Sequence, residues 1–210
     1  ADNELIEHRF CTEVLIRNIT IGQTEIQKIL QRYGDSGVVA GASKNTRIHV
    51  HTNHPADLFH ELRQFGTLTS QKVEDMVRQN EVMKNRKWNI ALVTDSTCDL
   101  SQELIDHYQI HVLPLNLNFG ENQYLDKVTI TPDHFYDLLE SSPSFPRTSQ
   151  INERAFTNLY SHLASHYDAV ISLHLSSQLS GTFLSSSKAA ERISEEFKKP
   201  VLAIDSKCLS

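Results

Sequence analysis

Two patterns in this sequence gather side chains that could do chemistry. The first is Arg47-Ile48-His49-Val50-His51-Thr52, where two imidazoles stand two residues apart. Residues at that spacing on a β-strand point to the same side, so His49 and His51 share one face while Ile48 and Val50 turn toward a core. An earlier strand-like stretch, Cys11-Thr12-Glu13-Val14-Leu15-Ile16, puts Cys11 on the same side as Glu13. If the two stretches lie across one sheet, Cys11, His49 and His51 form a Cys-His-His donor set of the kind that holds zinc, with a fourth position open to water or substrate. The same pattern also suits the wet face of an amphipathic strand with Cys11 as a small buried residue. From the residues alone, both readings stand.

The second pattern is rich in hydroxyls. Ala169 to Leu175 reads as a buried strand, and Ser176-Ser177-Gln178-Leu179-Ser180-Gly181-Thr182 leads from it into a helix over Phe183 to Phe197. Gly181 lets the backbone come close to a ligand, while Ser180 and Thr182 can cap the helix or donate to an anion. A second cluster, Pro146-Arg147-Thr148-Ser149-Gln150, follows Pro143, and the two prolines stiffen its loop. Two convergent hydroxyl loops suit a carboxylate or phosphate, since each charge-assisted hydrogen bond contributes about 1.5–3 kcal/mol. Simple helix capping accounts for the serines equally well. A third loop, Val93 to Asp99, carries Asp95 and Asp99 but lacks Asp-x-Asp spacing. There Asp99-Leu100-Ser101 reads as capping, and Cys98, with no flanking base, reads as a packed thiol.

Two kinds of scaffold must position these groups. The amino-terminal part gives a strand near Arg9 to Asn18, a helix over Gln23 to Tyr33 ending at Gly34, strands at Gly37 to Ala42 and Arg47 to Thr52, a helix from Pro55 to Phe65, and a strand over Thr69 to Met76. That order is β-α-β-β-α-β, a ferredoxin-like open sandwich. Gln79 to Lys87 is polar and aperiodic and reads as a linker or a frayed helix end, so the domains are drawn as 1–80 and 88–210 with a linker at 81–87. From Trp88 onward, strands alternate with longer helices, which implies a mostly parallel α/β sheet covered on both faces. Val112 to Phe119 reads there as one strand, with Tyr124 to Val128 as its hairpin partner.

Composition narrows the function classes. The chain has 210 residues, 39% hydrophobic and 22% charged, with a net charge of -6 and no clustered Lys or Arg. Such a chain is no general nucleic-acid binder. No apolar run approaches the roughly 20 residues of a membrane span. Three scattered cysteines and the lack of a secretory signal point to free thiols in the cytoplasm. The abrupt start at Ala1 and the closing strand and turn lead us to expect a piece of a longer protein.

The ordered segments VTDSTCDLS, PLNLNFGENQYLD, FPRTSQ, ISLHLSSQLSGTF and VLAIDSKCLS resemble the first half of the DegV family, whose members bind fatty acids. The resemblance covers Trp88 to Ser210. It implies that Thr148 and Ser180 hydrogen-bond the ligand carboxylate and that Ser149, Ser176 and Gly181 shape the pocket. Ile151 stands where the family often has proline. The family's second lobe, which completes the acyl tunnel, is not within these residues.

FCTEVLI, RIHVHTNHP and FGTLTSQKVEDM are similar to the middle region of the bacterial fatty-acid kinase subunit, which follows a dihydroxyacetone-kinase-like (DAK) ATP-binding domain. This match runs from about Leu5 to Arg78. It implies a metal site, with zinc as the ion, at Cys11, His49 and His51, and leaves His8, His54 and His60 as bystanders. No nucleotide-binding loop occurs in the chain, so ATP and magnesium belong to a kinase domain that these residues do not include.

Together the resemblances imply a fusion that holds a long-chain fatty acid and presents it to a kinase domain, in cis or in trans, that makes acyl phosphate. On this reading these 210 residues would bind or assemble rather than catalyse, and no catalytic residue is assigned among them. Two rivals remain: an α/β enzyme for a small anion or sugar phosphate, and a scaffold whose ferredoxin-like sheet forms a homodimer.

Overall fold

The computed structural model of the chain describes residues 6–209. Ala1, Leu5 and Ser210, where some of the expectations above begin or end, lie outside them. The fold has two compact units: one runs to Val77 and takes in Asn116–Thr148, and the other holds Arg78–Leu115 and the chain from Ser149 onward.

The first unit is built on β1 (Phe10–Arg17), α1 (Gln23–Tyr33), β2 (Gly34–Ala42), β3 (Asn45–Thr52), α2 (Pro55–Leu62) and β4 (Thr67–Asp75). The four strands form one sheet in the order β2-β3-β1-β4 with every pair antiparallel, the split-βαβ arrangement expected from the element order. Period two sorts the side chains. Thr12, Val14 and Ile16 of β1, with Ile48 and Val50 of β3, are buried beneath Ile26, Ile29 and Leu30 of α1 and Leu58, Phe59 and Leu62 of α2. Alternate residues on both strands face away from the helices. Gly41 turns the β2-β3 hairpin at a φ of 111°, where a Cβ would stand 2.2 Å from the Asn45 carbonyl.

Two expectations about connections need correction. The polar run after β4 takes the helical one of its two readings as α3 (Met76–Lys84), which occupies much of the stretch drawn as a linker. Its periodicity is faint because it buries little apolar surface. What fixes it is Val82 in a core and a buried Arg78 that binds Glu81, Asp106 and the Ile105 carbonyl at 2.6, 2.8 and 3.1 Å.

Val112 to Phe119 is not one strand. Pro114 has no N–H to give a ladder, and it separates β6 (His111–Leu113) from β7 (Asn116–Phe119). Strand β7 pairs with β8 (Asn122–Leu125), and Leu117, Phe119 and Tyr124 enter the core of the first unit. Asn122 Oδ1 accepts from Leu68 N–H at 2.9 Å, and Thr129 Oγ1–H donates to Gln71 Oε1 at 2.6 Å. The hairpin thereby covers the β4 edge, which would otherwise present unpaired backbone groups. Helix α5 (Pro132–Ser141) and β9 (Arg147–Ser149) follow.

The second unit adds β5 (Ile90–Asp95), α4 (Gln102–His107), α6 (Glu153–His166), β10 (Ala169–His174), α7 (Thr182–Phe197) and β11 (Val201–Asp205). Its sheet is wholly parallel in the order β11-β10-β5-β6. Phe156, Tyr160 and Leu163 of α6 and Ala189, Ala190 and Ile193 of α7 pack with Ala91, Val93, Val170 and Val201. The other side of the sheet is less covered than a parallel sheet normally is. Leu173 is 46% exposed and Leu202 55%, and Ile90 and Ile204 are also open.

Candidate functional site

The strand order marks one place in the second unit as a candidate site. From β5 the chain steps to β6 on one side, and it later returns to β10 on the other side of β5 before moving outward to β11. Between β5 and β10 the direction of winding reverses, and open α/β sheets bind ligands outside the carboxyl ends of strands at such a point. The loop from Ser176 to Gly181 leaves β10 there, and Thr182 begins the 16-residue α7.

Each hydroxyl in this loop has a defined place. Ser177 N–H and Oγ–H donate to the Asp205 carboxylate at 3.2 and 2.6 Å, tying the loop to the end of β11. The hydrogen bond from Ser177, with one from Lys207 N–H, holds the Asp205 pKa below its ordinary value. Buried Ser176 accepts from Gln178 N–H at 3.3 Å. Ser180 Oγ accepts from Thr182 N–H at 3.2 Å and lies 2.9 Å from Thr182 Oγ1. If Thr182 Oγ1–H is the donor in that last pair, Ser180 keeps its own proton for an anion. Gly181 is the N-cap of α7 and offers no side-chain cap, so the positive end of the helix dipole and first-turn N–H groups beyond that of Thr182 face the loop.

The Thr148-Ser149-Gln150 cluster divides. Thr148 and Ser149 are exposed on β9, and Thr148 belongs to the first unit. The residue that meets the α7 start is Gln150: a Cβ at Gly181 would lie 1.8 Å from Gln150 Oε1. The absent side chain lets the flexible Gln150 carboxamide lie this close. The structure therefore gathers Ser176, Ser180 and Gly181 into one loop, with Gln150 as the member of the second cluster lying against it.

Beneath the loop runs a buried polar chain that the sequence reading missed. Asp95 Oδ2 lies 2.9 Å from His174 Nδ1, His174 Nε2 lies 2.6 Å from Ser172 Oγ, and Tyr160 OH bridges Ser172 and Ser186 at 2.7 Å each. Burial alone would raise the Asp95 pKa, but hydrogen bonds from His174 and Thr97 outweigh it and keep the carboxyl below its ordinary value. Burial pushes the Tyr160 phenol up to about 12, so it stays protonated. Asp95, His174 and Ser172 have the residue types of a nucleophilic triad, yet Ser172 and His174 are sealed from solvent and no substrate reaches them. The one signal in the sequence was polar Ser172 and His174 at inward positions of a strand that is otherwise apolar there.

In the first unit, register decides the matter of the imidazoles. Cys11 lies directly opposite His51, and Glu13 opposite His49, on the face turned from the helices. Cys11 Sγ is 4.0 Å from His49 Nδ1, and one donor atom from each of Cys11, His49 and His51 falls within a 4.8 Å span. Tetrahedral zinc sets such atoms about 3.3–3.6 Å apart, so rotamer adjustments of about an ångström would close the set. One thiol and two imidazoles form a donor set suited to that ion.

Glu13 Oε1 lies 3.8 Å from His49 Nδ1, and Asp35 Oδ1 3.7 Å from His51 Nδ1. Burial raises the Cys11 thiol pKa, and Glu74 and Glu13 add to the rise; a nearby dication acts in the opposite sense. His8 shares Asp35 with His51, while His54 lies beside Asp57 and His60 is stacked on His134. Among the described residues, the Cys11 cluster is the one group of three or more such side chains with metal-holding geometry.

The second unit is thus an open α/β sheet with a hydroxyl-lined loop and a helix start at its switch point. A model of the DegV family, described as uncharacterised proteins, matches residues 89–210. The chain belongs to that family. A second model, described as the middle domain of fatty acid kinase-like subunits, matches residues 7–83.

A DegV domain-containing protein of Clostridium perfringens is 39% identical over 118 residues, which are 56% of this chain and 41% of the relative. The crystal structure of DegV from Bacillus subtilis, described as a fatty acid binding protein, superposes with a TM-score of 0.53 at 38% identity and covers 57% of this chain and 42% of that one. A stearic acid-binding protein from Eubacterium ventriosum gives a TM-score of 0.51 at 29% identity, covering 58% and 42%. The chain thus spans about two-fifths of the length of the relatives it matches. No helix among the described residues is long and apolar enough to cross a membrane.

Proposed function

We propose that the second unit holds the carboxylate of a long-chain fatty acid at the Ser176–Thr182 loop, with Ser180 as a donor and Ser149, Ser176 and Gly181 shaping the pocket. The observation that carries this reading is the loop's position at the switch point, with Gln150 laid on the uncapped start of α7. The fatty-acid ligands of the Bacillus subtilis and Eubacterium ventriosum proteins supply the ligand class. Each methylene buried along the acyl chain adds about 0.8 kcal/mol, so the headgroup site sets orientation and the tail sets strength.

The first unit is the kinase-facing part of this reading, supported by its match to the kinase-like middle domain. Its role is to bring the bound acid to an ATP-dependent kinase domain, in cis or in trans, that forms acyl phosphate. Zinc is held by Cys11, His49 and His51 on the outer sheet face and supplies a Lewis-acidic or structural cation there. The cytoplasm is the matching compartment, since a thiolate ligand needs a reducing setting.

Native mass spectrometry of the 210-residue chain from cells tests the acyl reading. Co-purified C16–C18 acids, lost in a Ser180→Ala variant, are the expected result. A phosphorylated metabolite in their place would overturn it in favour of a small-anion enzyme.

A further inference from the structure

We infer that the buried Asp95-His174-Ser172-Tyr160-Ser186 chain is a positioning device that fixes both ends of the Ser176–Thr182 loop and so sets its preference for an anionic headgroup. This rests on the acyl-carboxylate reading above and goes beyond it, because none of the five residues reaches the ligand.

The geometry runs through both loop ends. At the entry, Asp95 Oδ2 accepts from Leu175 N–H at 3.2 Å, one residue before the loop begins. Asp95 Oδ1 meanwhile accepts from Thr97 N–H at 3.1 Å and Thr97 Oγ1–H at 2.6 Å, which holds the loop after β5. At the exit, Ser186 lies one turn into α7 and pairs with Tyr160 OH, which α6 carries. Ser172 and His174, on β10, join the two ends.

The donors and acceptors close in a single sense. Ser186 donates to Tyr160, Tyr160 to Ser172, and Ser172 to His174 Nε2; His174 Nδ1–H then donates to the Asp95 carboxylate. That order needs neutral His174 with its proton on Nδ1, and it leaves no hydroxyl proton without an acceptor. Phe156 stands edge-on to the imidazole, with centroids 4.9 Å apart, and so blocks ring rotation. A buried network satisfied throughout is rigid, and losing one member leaves its neighbours unpaired.

A ligand that uses the anion site should feel a loosened loop, and one that binds by its tail alone should not. The test titrates the full chain with a pyrene-labelled hexadecanoic acid and with the matching pyrene-labelled alcohol. Wild type should prefer the acid. His174→Ala should weaken acid binding by about tenfold, equivalent to about 1.4 kcal/mol, while alcohol binding stays within about twofold. His174→Asn, which keeps a donor near the Nδ1 position, should recover part of the loss.

Tyr160→Phe removes one hydroxyl and keeps the ring, so it serves if His174→Ala fails to fold; it should lower the acid-to-alcohol ratio by about threefold. An unchanged ratio in the variants, or equal losses for both probes, would overturn the inference while leaving the acyl reading intact. A wild-type chain that holds both probes equally would overturn the reading itself.

Discussion

The outer face of the first unit's sheet and the strand ends of the second unit position their candidate polar groups in opposite ways. On the antiparallel sheet, Cys11, Glu13, His49 and His51 stand on two neighbouring strands, and backbone register alone sets their spacing. At the parallel sheet, the candidate groups sit on a loop with no ladder of its own. Their positions are passed up from Asp95, His174 and Tyr160 beneath. A site on strand faces is thus fixed by the main chain, whereas one on a loop depends on side chains that never touch the ligand. The first should tolerate changes in its surroundings and fail only when a ligand residue is lost. The second should fail from a distance.

The contrast can be broken or sharpened in several ways. The largest effect concerns His111 in the second unit. Burial, with Arg78 and His162 nearby, lowers its pKa from 6.5 to about 3, and its Nε2 has no hydrogen-bond partner. An imidazole whose folded pKa lies below its unfolded one contributes stability at neutral pH that is lost as the pH falls. Unfolding free energy should therefore drop between pH 6.5 and pH 3 by an amount on the order of 4 kcal/mol. Denaturant titrations across that window check it, and His111→Phe should flatten that part of the curve.

Next in size, Cys11→Ser should cut zinc content at least about a hundredfold, because the softest ligand of three is replaced, as measured by elemental analysis after chelator competition. Unchanged zinc would remove the metal site. If the first site really is fixed by register, circular dichroism of that variant should be unaltered.

Tyr160→Phe should then cost the second unit about 1–3 kcal/mol, since Ser172 and Ser186 lose their shared partner in a dry interior. Chemical denaturation reads this loss.

The smallest expected effect is at the loop. Gly181→Ala displaces the Gln150 carboxamide from the start of α7 and should weaken acid binding by at most about tenfold, roughly 1.4 kcal/mol, with little change in melting temperature. A variant that binds normally would show that Gln150 has no part in the pocket.

How much of this was readable in advance follows from range. Period two in Arg47–Thr52 and Cys11–Ile16 announced which side chains share a face, and the element order announced the split-βαβ sheet, because both are local signals. The α/β alternation after Trp88 gave the parallel sheet for the same reason. Asp95 and His174 are 79 residues apart, so nothing local marks them as partners, and Asp95 read as a residue of a capping loop. Pro114 was legible as a strand breaker in principle, but the apolar residues on both sides masked it. Helix α3 was lost because Arg78 and Val82 are its only buried residues, too few to give a period. Gln150 escaped notice since a carboxamide beside two hydroxyls draws no attention until Gly181 is found beneath it.

The open side of the parallel sheet has a consequence for handling the chain. Leu173 and Ile204 stand side by side in adjoining strands, and Leu202 flanks Ile171 in the row below, which makes a flat greasy strip with no charge among those four residues. Water ordered over such a strip is released whenever two strips meet. Light scattering should therefore rise with concentration and with added sulfate, while a Leu202→Lys, Leu173→Glu pair of changes should keep the solution clear.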